Sequence, residues 1–150
     1  MWSVTNVMDY SFKKSLGHLS HELSKKLGSS FEKRMQVIQP SLKAEHWSVI
    51  SLLHQESNLN QMSIAQVFGF DKVKVLRIIN KLEKQHIVVR TIDISDKRAY
   101  RINLTVMGNE IYNQLAPLAA TTIEDAFSSF SRDEREIFMK NLQKILKNLT

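Results

Sequence analysis

Between Lys72 and Leu104 the sequence changes period, and that change restricts the fold more than any other feature. Residues 72–85 repeat as a helix repeats. At about 100° per residue Val75, Ile79 and Leu82 gather on one side, while Lys74, Arg77, Lys81 and Lys84 gather nearly opposite with Val73 at their edge. An ordinary surface helix mixes signs, with glutamates paired to lysines one turn away; here Glu83 alone interrupts the bases. From Ile87 the pattern becomes that of extended chain. IVVRTI is rich in β-branched residues, and Tyr100, Ile102 and Leu104 alternate with Arg101 and Asn103, so two strands flank a loop of about five residues. A helix with a core face and a basic face therefore runs straight into a hairpin.

What precedes that helix reads as more helix. Phe12, Leu16, Leu19, Leu23, Leu27, Phe31 and Met35 recur at spacings of three and four, which predicts one long helix from Tyr10 to Met35 with a single apolar stripe. Such a stripe needs a partner surface, either the chain's own C-terminal helices or another subunit. Pro40 marks a break, and Ser41 is the expected cap of a second helix carrying Trp47, Ile50, Leu53 and His54. Asn60 caps a short third helix, QMSIAQVF, with Ile64, Ala65 and Phe68 on one side; Gly69 stops it, and Asp71 caps the basic helix that follows. Two short helices meeting across a tight glycine turn are the signature of a helix-turn-helix. Beyond the hairpin, Thr105 caps a helix expected over 106–130 with a kink at Pro117. SRDE at 131–134 is a capping box that opens a last amphipathic helix through Ile137, Leu142, Ile145 and Leu149.

The net charge of +6 becomes informative once it is located. Residues 72–101 hold nine bases and three acids, and 9 − 3 accounts for the whole excess; the remaining 12 bases and 12 acids cancel. A polyanion-binding surface needs local charge of this kind, whereas a solvated charged face is the ordinary alternative. The absence of cysteine excludes disulfides, thiolate metal sites and cysteine nucleophiles. No phosphate-binding glycine loop, nucleophile elbow or HExxH stands in the chain, so neither an enzyme nor a cofactor is expected. No apolar run reaches the ~18 residues of a membrane span, and MWSVTNVMDY lacks the features of a secretory signal, so a cytoplasmic protein is expected.

The order helix, helix, turn, basic helix, hairpin, helix is that of a winged helix-turn-helix, and DKVKVLRIINKLEKQHIVVRTIDISDKRAYRINLTVMG resembles the MarR (multiple antibiotic resistance regulator) family. Leu82, Glu83, Val88, Arg90, Asp96, Arg98, Leu104, Thr105 and Gly108 occupy the places of that family's L-E-x-x-G-L-V-x-R, D-x-R and L-T-x-x-G pattern. His86 departs from it, standing where the family usually has glycine. The resemblance implies a mainly α (α+β) chain in which residues 39–105 form a winged lobe with a two-stranded hairpin, and residues 1–38 and 106–150 a helical dimerisation lobe. It implies a homodimeric transcriptional regulator, more in keeping with a repressor, on a pseudo-palindromic double-stranded DNA site. The helix at Lys72 to Gln85 would enter the major groove and Arg98 the minor groove, oriented by Asp96.

Charge and resemblance together make Lys72, Val73, Lys74, Arg77, Lys81, Arg90, Asp96, Lys97 and Arg98 the expected DNA-contacting set. A winged module that binds a protein partner or RNA is the competing reading. Ligand-responsive members of the family hold small aromatic or phenolic effectors, and Phe12, Phe31, His46 and Trp47 are the candidates for such a pocket, against plain core packing. His18, His21 and Glu22 lie close enough to begin a metal site, but no further clustered ligand follows them and helix surface is the simpler reading.

Overall fold

The computed structural model describes residues 10–96 and 99–150. A 3₁₀ turn, Phe12–Lys14, leads into α1 (Leu16–Ile38), α2 (Ala44–Gln55), α3 (Gln61–Phe68), α4 (Lys72–Lys84), β1 (Val88–Ile92), β2 (Tyr100–Leu104), α5 (Val106–Ala126) and α6 (Arg132–Asn148). The mainly helical class with one antiparallel hairpin is the one the period change called for.

Three boundaries differ from expectation, two of them for identifiable reasons. The long first helix does not start at Tyr10, because Ser15 breaks it: its backbone is extended and its hydroxyl accepts from His18 N–H at 3.2 Å, which makes it the cap of α1. Ser41 does not cap α2. Its hydroxyl turns to Gln85 at 3.3 Å, and α2 starts after Lys43, whose N–H donates to His46 Nδ1 at 2.8 Å. The fifth helix ends at Ala126, short of 130, and continues through Pro117.

The helix-turn-helix forms from local signals. Asn60 Oδ1 accepts from Ser63 N–H at 2.8 Å, Gly69 takes the left-handed conformation at φ 65°, and Asp71 Oδ1 accepts from Lys74 N–H at 2.7 Å. At the far end of α4 the chain turns the same way without glycine. His86 sits at φ 62°, His86 N–H donates to the Glu83 carbonyl and Ile87 N–H to that of Leu82, both at 2.9 Å. That pair of bonds is a Schellman cap, which aims the chain into β1.

β1 pairs with β2 from Val88↔Leu104 to Ile92↔Tyr100. The loop between them spans 93–99, longer than the five or so residues expected. A rung from the α2–α3 connection extends the sheet, because Ile102 N–H donates to the Leu59 carbonyl at 2.7 Å. Asn58, at φ 58°, stays beside it through its own N–H to Asn103 Oδ1 at 2.8 Å.

One core joins these parts. Phe31 and Met35 of α1, Val49, Ile50 and Leu53 of α2, Ile64 of α3, the inner face of α4, Ile102 and Leu115 all pack into it. The first half of the α1 stripe stays outside: Phe12, Leu16, Leu19 and Leu23 are 65%, 55%, 53% and 41% exposed. α6 contributes no buried residue. No helix among the described residues is long and apolar enough to cross a membrane.

Candidate nucleic-acid interface

The core face of α4 is broader than the spacing of Val75, Ile79 and Leu82 indicates, because Ile78 is fully buried with them. Adding Ile78 rotates the axis of the apolar face, and with it the outward direction of the helix. The residues that point away from the core are Val73, Leu76, Arg77 and Asn80, at i, i+3, i+4 and i+7, flanked by Lys72 and Lys84. Val73 is 77% exposed and Leu76 46%. Leu76 and Asn80 were not singled out by charge counting, yet the position of Ile78 on the helical wheel was signal enough to find them.

Lys74, Arg77 and Lys81 lean toward the start of α2. Arg77 reaches Glu45 Oε1 at 2.9 Å and Lys74 reaches Oε2 at 3.5 Å, while the Lys74 ammonium also lies 4.0 Å from the centre of the Phe70 ring. Lys81 donates to the Ser41 carbonyl. Partial burial pushes the Glu45 carboxyl up, but the hydrogen bond from Arg77 and the charges of Arg77 and Lys74 hold it below the usual carboxylate range. It is therefore a fixed anion between two bases, Lys74 and Arg77.

Arg90 has a different place from the one its charge suggests. Its guanidinium donates to Glu83 Oε1 at 2.9 Å and to Asn80 Oδ1 at 2.7 Å, and the side chain is only 15% exposed. This fork ties β1 to the outer face of α4, so Arg90 braces the hairpin against the helix and is not an open phosphate donor.

The hairpin stands beside α4 and is pinned toward its loop end. Arg101 joins Asp93 Oδ2 at 2.7 Å and the Asn58 carbonyl at 3.0 Å. Asp93 also accepts from the hydroxyl and N–H of Ser95, which, ahead of Arg101, keep its carboxyl below the usual range. Ala99 N–H donates to the Asp96 carbonyl at 3.0 Å, so the loop folds back on itself just short of β2. Lys97 and Arg98, expected at the tip, lie outside the described residues.

This arrangement of an open helix face, a braced hairpin and a helix-turn-helix matches known proteins. A family model described as the MarR family fits residues 42–100. The chain carries a MarR-family domain. Among solved structures, a MarR transcriptional regulator from Methanosarcina mazei Go1 shares 28% identity at a TM-score of 0.79, over 89% of this chain and 94% of that one. The S. aureus MepR–DNA complex superposes at 0.79 with 20% identity, over 89% and 98% of the two chains. A Bordetella bronchiseptica BpsR structure, described as showing regulation of DNA binding by 6-hydroxynicotinic acid, gives 0.79 and 20% over 91% and 96%.

The four ligand candidates do not come together. Phe31 and Trp47 line a cavity of about 440 Å3 between α1, α2 and α5, with Leu27, Ser51, Ala119 and Thr122 among its walls. Trp47 belongs to a run of rings, 5.3 Å from Phe31 and stacked on Tyr112 at 5.4 Å, with Tyr112 stacked in turn on His54. Phe12 lies elsewhere, exposed and tilted against His18 at 4.8 Å. His46 is fully buried, does not line the cavity, and serves as the acceptor at the start of α2. Sequence spacing missed Tyr112, which reaches the rings from α5 across a long chain separation.

Proposed function

We propose that this MarR-family transcriptional regulator is a repressor that acts as a homodimer on a pseudo-palindromic duplex. The observation that carries the reading is the outward face of α4, Val73, Leu76, Arg77 and Asn80, left open beside a hairpin that ion pairs hold in place. An open helix face of this kind suits the major groove, and a hairpin beside it suits the neighbouring backbone and minor groove. The excess positive charge concentrated in residues 72–101 supports a polyanionic partner. Lys97 and Arg98 are proposed to act at the wing tip, with Asp96 orienting the arginine.

A division into a winged lobe, 39–105, and a dimerisation lobe, 1–38 with 106–150, fits the exposed stripe of α1 and the uncovered apolar residues of α6. In such a dimer the two recognition helices would sit one DNA turn apart, about 34 Å. The cavity bounded by Phe31 and Trp47 lies where α1 and α5 meet the winged lobe, so a small aromatic or phenolic acid bound there would alter that spacing.

The test is duplex binding by mobility shift across a salt series. Affinity should fall steeply with salt, and Arg98→Ala should weaken binding most on sites with narrow minor grooves. Equal binding of duplex DNA and RNA, or no dependence on salt, would defeat the proposal.

A further inference from the structure

Asn80 and Arg90 are linked by a contact that neither helix periodicity nor charge predicts, and resting on the DNA-binding reading above we propose that Asn80 is a specificity-determining residue which Arg90 orients toward guanine. Asn80 is exposed in the middle of the outward face of α4, one turn beyond Leu76 and Arg77. Its carbonyl Oδ1 is held by the Arg90 guanidinium at 2.7 Å, and Arg90 is itself anchored on Glu83 at 2.9 Å. The other end of the amide, Nδ2, has no hydrogen-bond partner among the described residues.

The chemistry of the exposed group follows from that anchoring. A free asparagine reads adenine with one donor and one acceptor, taking N7 and the N6 amine together. Asn80 has its acceptor drawn back toward β1 and shows the groove an NH₂ with two donors. Two donors match guanine, whose N7 and O6 both accept, and conflict with the N4 amine of cytosine. Val73 and Leu76, apolar and exposed on the same face, suit thymine methyls at neighbouring positions. The fork also fixes the side chain before binding, so less rotamer freedom is lost when the base is met.

Arg90 in this scheme is a positioning residue. Its charge is neutralised by Glu83, so it does not add to the phosphate count. Arg90→Lys keeps the charge but removes the fork that holds both partners at once.

The experiment selects binding sites from a random duplex pool with the unaltered protein, Asn80→Ala and Arg90→Lys, each assayed well below its unfolding midpoint. The unaltered protein should choose guanine at one position of each half-site. Asn80→Ala should lose about tenfold discrimination at that position alone. Arg90→Lys should relax the same position with the salt slope unchanged. The inference is overturned if the position that Asn80→Ala relaxes carries adenine, if Asn80→Ala leaves every preference intact, or if Arg90→Lys weakens all sequences alike. Failure of the unaltered protein to enrich any duplex would instead strike the DNA-binding reading itself.

Discussion

Gly108 lies so close beneath the Ile87 carbonyl that a β-carbon at that glycine would stand 2.2 Å from the oxygen. The approach is enforced by Thr105, whose hydroxyl donates to the His86 carbonyl at 2.6 Å and accepts from Gly108 N–H at 3.0 Å, while Thr105 N–H donates to Ile87 O. The first turn of α5 is thereby clamped to the start of the hairpin, which gives the L-T-x-x-G stretch a mechanical meaning. Gly108→Ala should lower unfolding free energy by about 3 kcal/mol, since the obstacle is backbone and cannot rotate away. Urea denaturation measures it; a loss below about 1 kcal/mol would show that α5 can shift freely.

His86 makes the opposite prediction. A side chain at φ 62° carries a penalty of about 1 kcal/mol that glycine avoids, partly offset by glycine's greater freedom in the unfolded chain. Because the imidazole is exposed and its backbone bonds persist without it, His86→Gly should raise stability by roughly 0.5–1 kcal/mol. An unchanged or lower thermal midpoint would mean that the ring itself stabilises this turn.

These two turns show what was legible in the chain and what was not. Asn60, Gly69, Asp71, Thr105 and Ser131 act on neighbours within a few residues, so their caps could be read from order alone. Arg90 could not, because its partners Glu83 and Asn80 meet it only after the chain reverses at His86. A linear tally of bases likewise missed that Glu45, on another helix, lies against Lys74 and Arg77. Omitting Ile78 from the apolar group turned the inferred outer face toward α2 and hid Leu76 and Asn80. Ser41 carried the right chemistry for a cap, but His46 already serves Lys43 N–H and the helix starts later.

Glu45 should act as an internal competitor for phosphate. Its carboxylate pairs with both Lys74 and Arg77 in the free protein and cancels one of their two charges, and each must part from it, at least in part, to meet a phosphate. Glu45→Gln should strengthen duplex binding roughly threefold to tenfold near ~0.1 M salt and steepen the salt slope by up to about 1. Weaker binding by the variant would show instead that Glu45 holds the two bases in their productive positions.

His46 sets a pH dependence whose sign is fixed by its burial. Burial first, then the Lys81 charge, lower its pKa from 6.5 to about 4 against the opposing pull of Glu45, with Arg77 and Lys43 adding to the decrease. Below about pH 6.5 the unfolded chain takes up a proton that the folded chain refuses, so this contribution to stability is lost as pH falls toward 4, amounting to roughly 3 kcal/mol. Because Nδ1 accepts from Lys43 N–H, the neutral ring carries its hydrogen on Nε2, which has no partner among the described residues, and a second proton could enter only at Nδ1, at the expense of that bond. His46→Leu should flatten the fall in urea midpoint between pH 6.5 and 4. Parallel pH profiles for the two proteins would assign the acid sensitivity to carboxylates.

The proposed dimer can be tested at the apolar stripe. Leu16, Leu19 and Leu23 project from α1 beyond the core, and Phe138 and Leu146 of α6 and Leu149 just after it are also uncovered, 38%, 60% and 77% exposed. Each leucine buried against a second copy would contribute roughly 1.5–3 kcal/mol, so a seam of several is enough to hold two chains together. A glutamate in the seam would have to be desolvated without a counter-charge. Leu19→Glu with Leu23→Glu should therefore halve the mass measured by sedimentation while leaving the helical circular dichroism of the winged core intact. Separation of the copies also removes the advantage of tethered half-sites, so affinity for a two-fold duplex should fall at least about a hundredfold, while affinity for a single half-site changes little. If the double variant keeps twice the monomer mass, the copies meet through some other surface and α1 is not their seam.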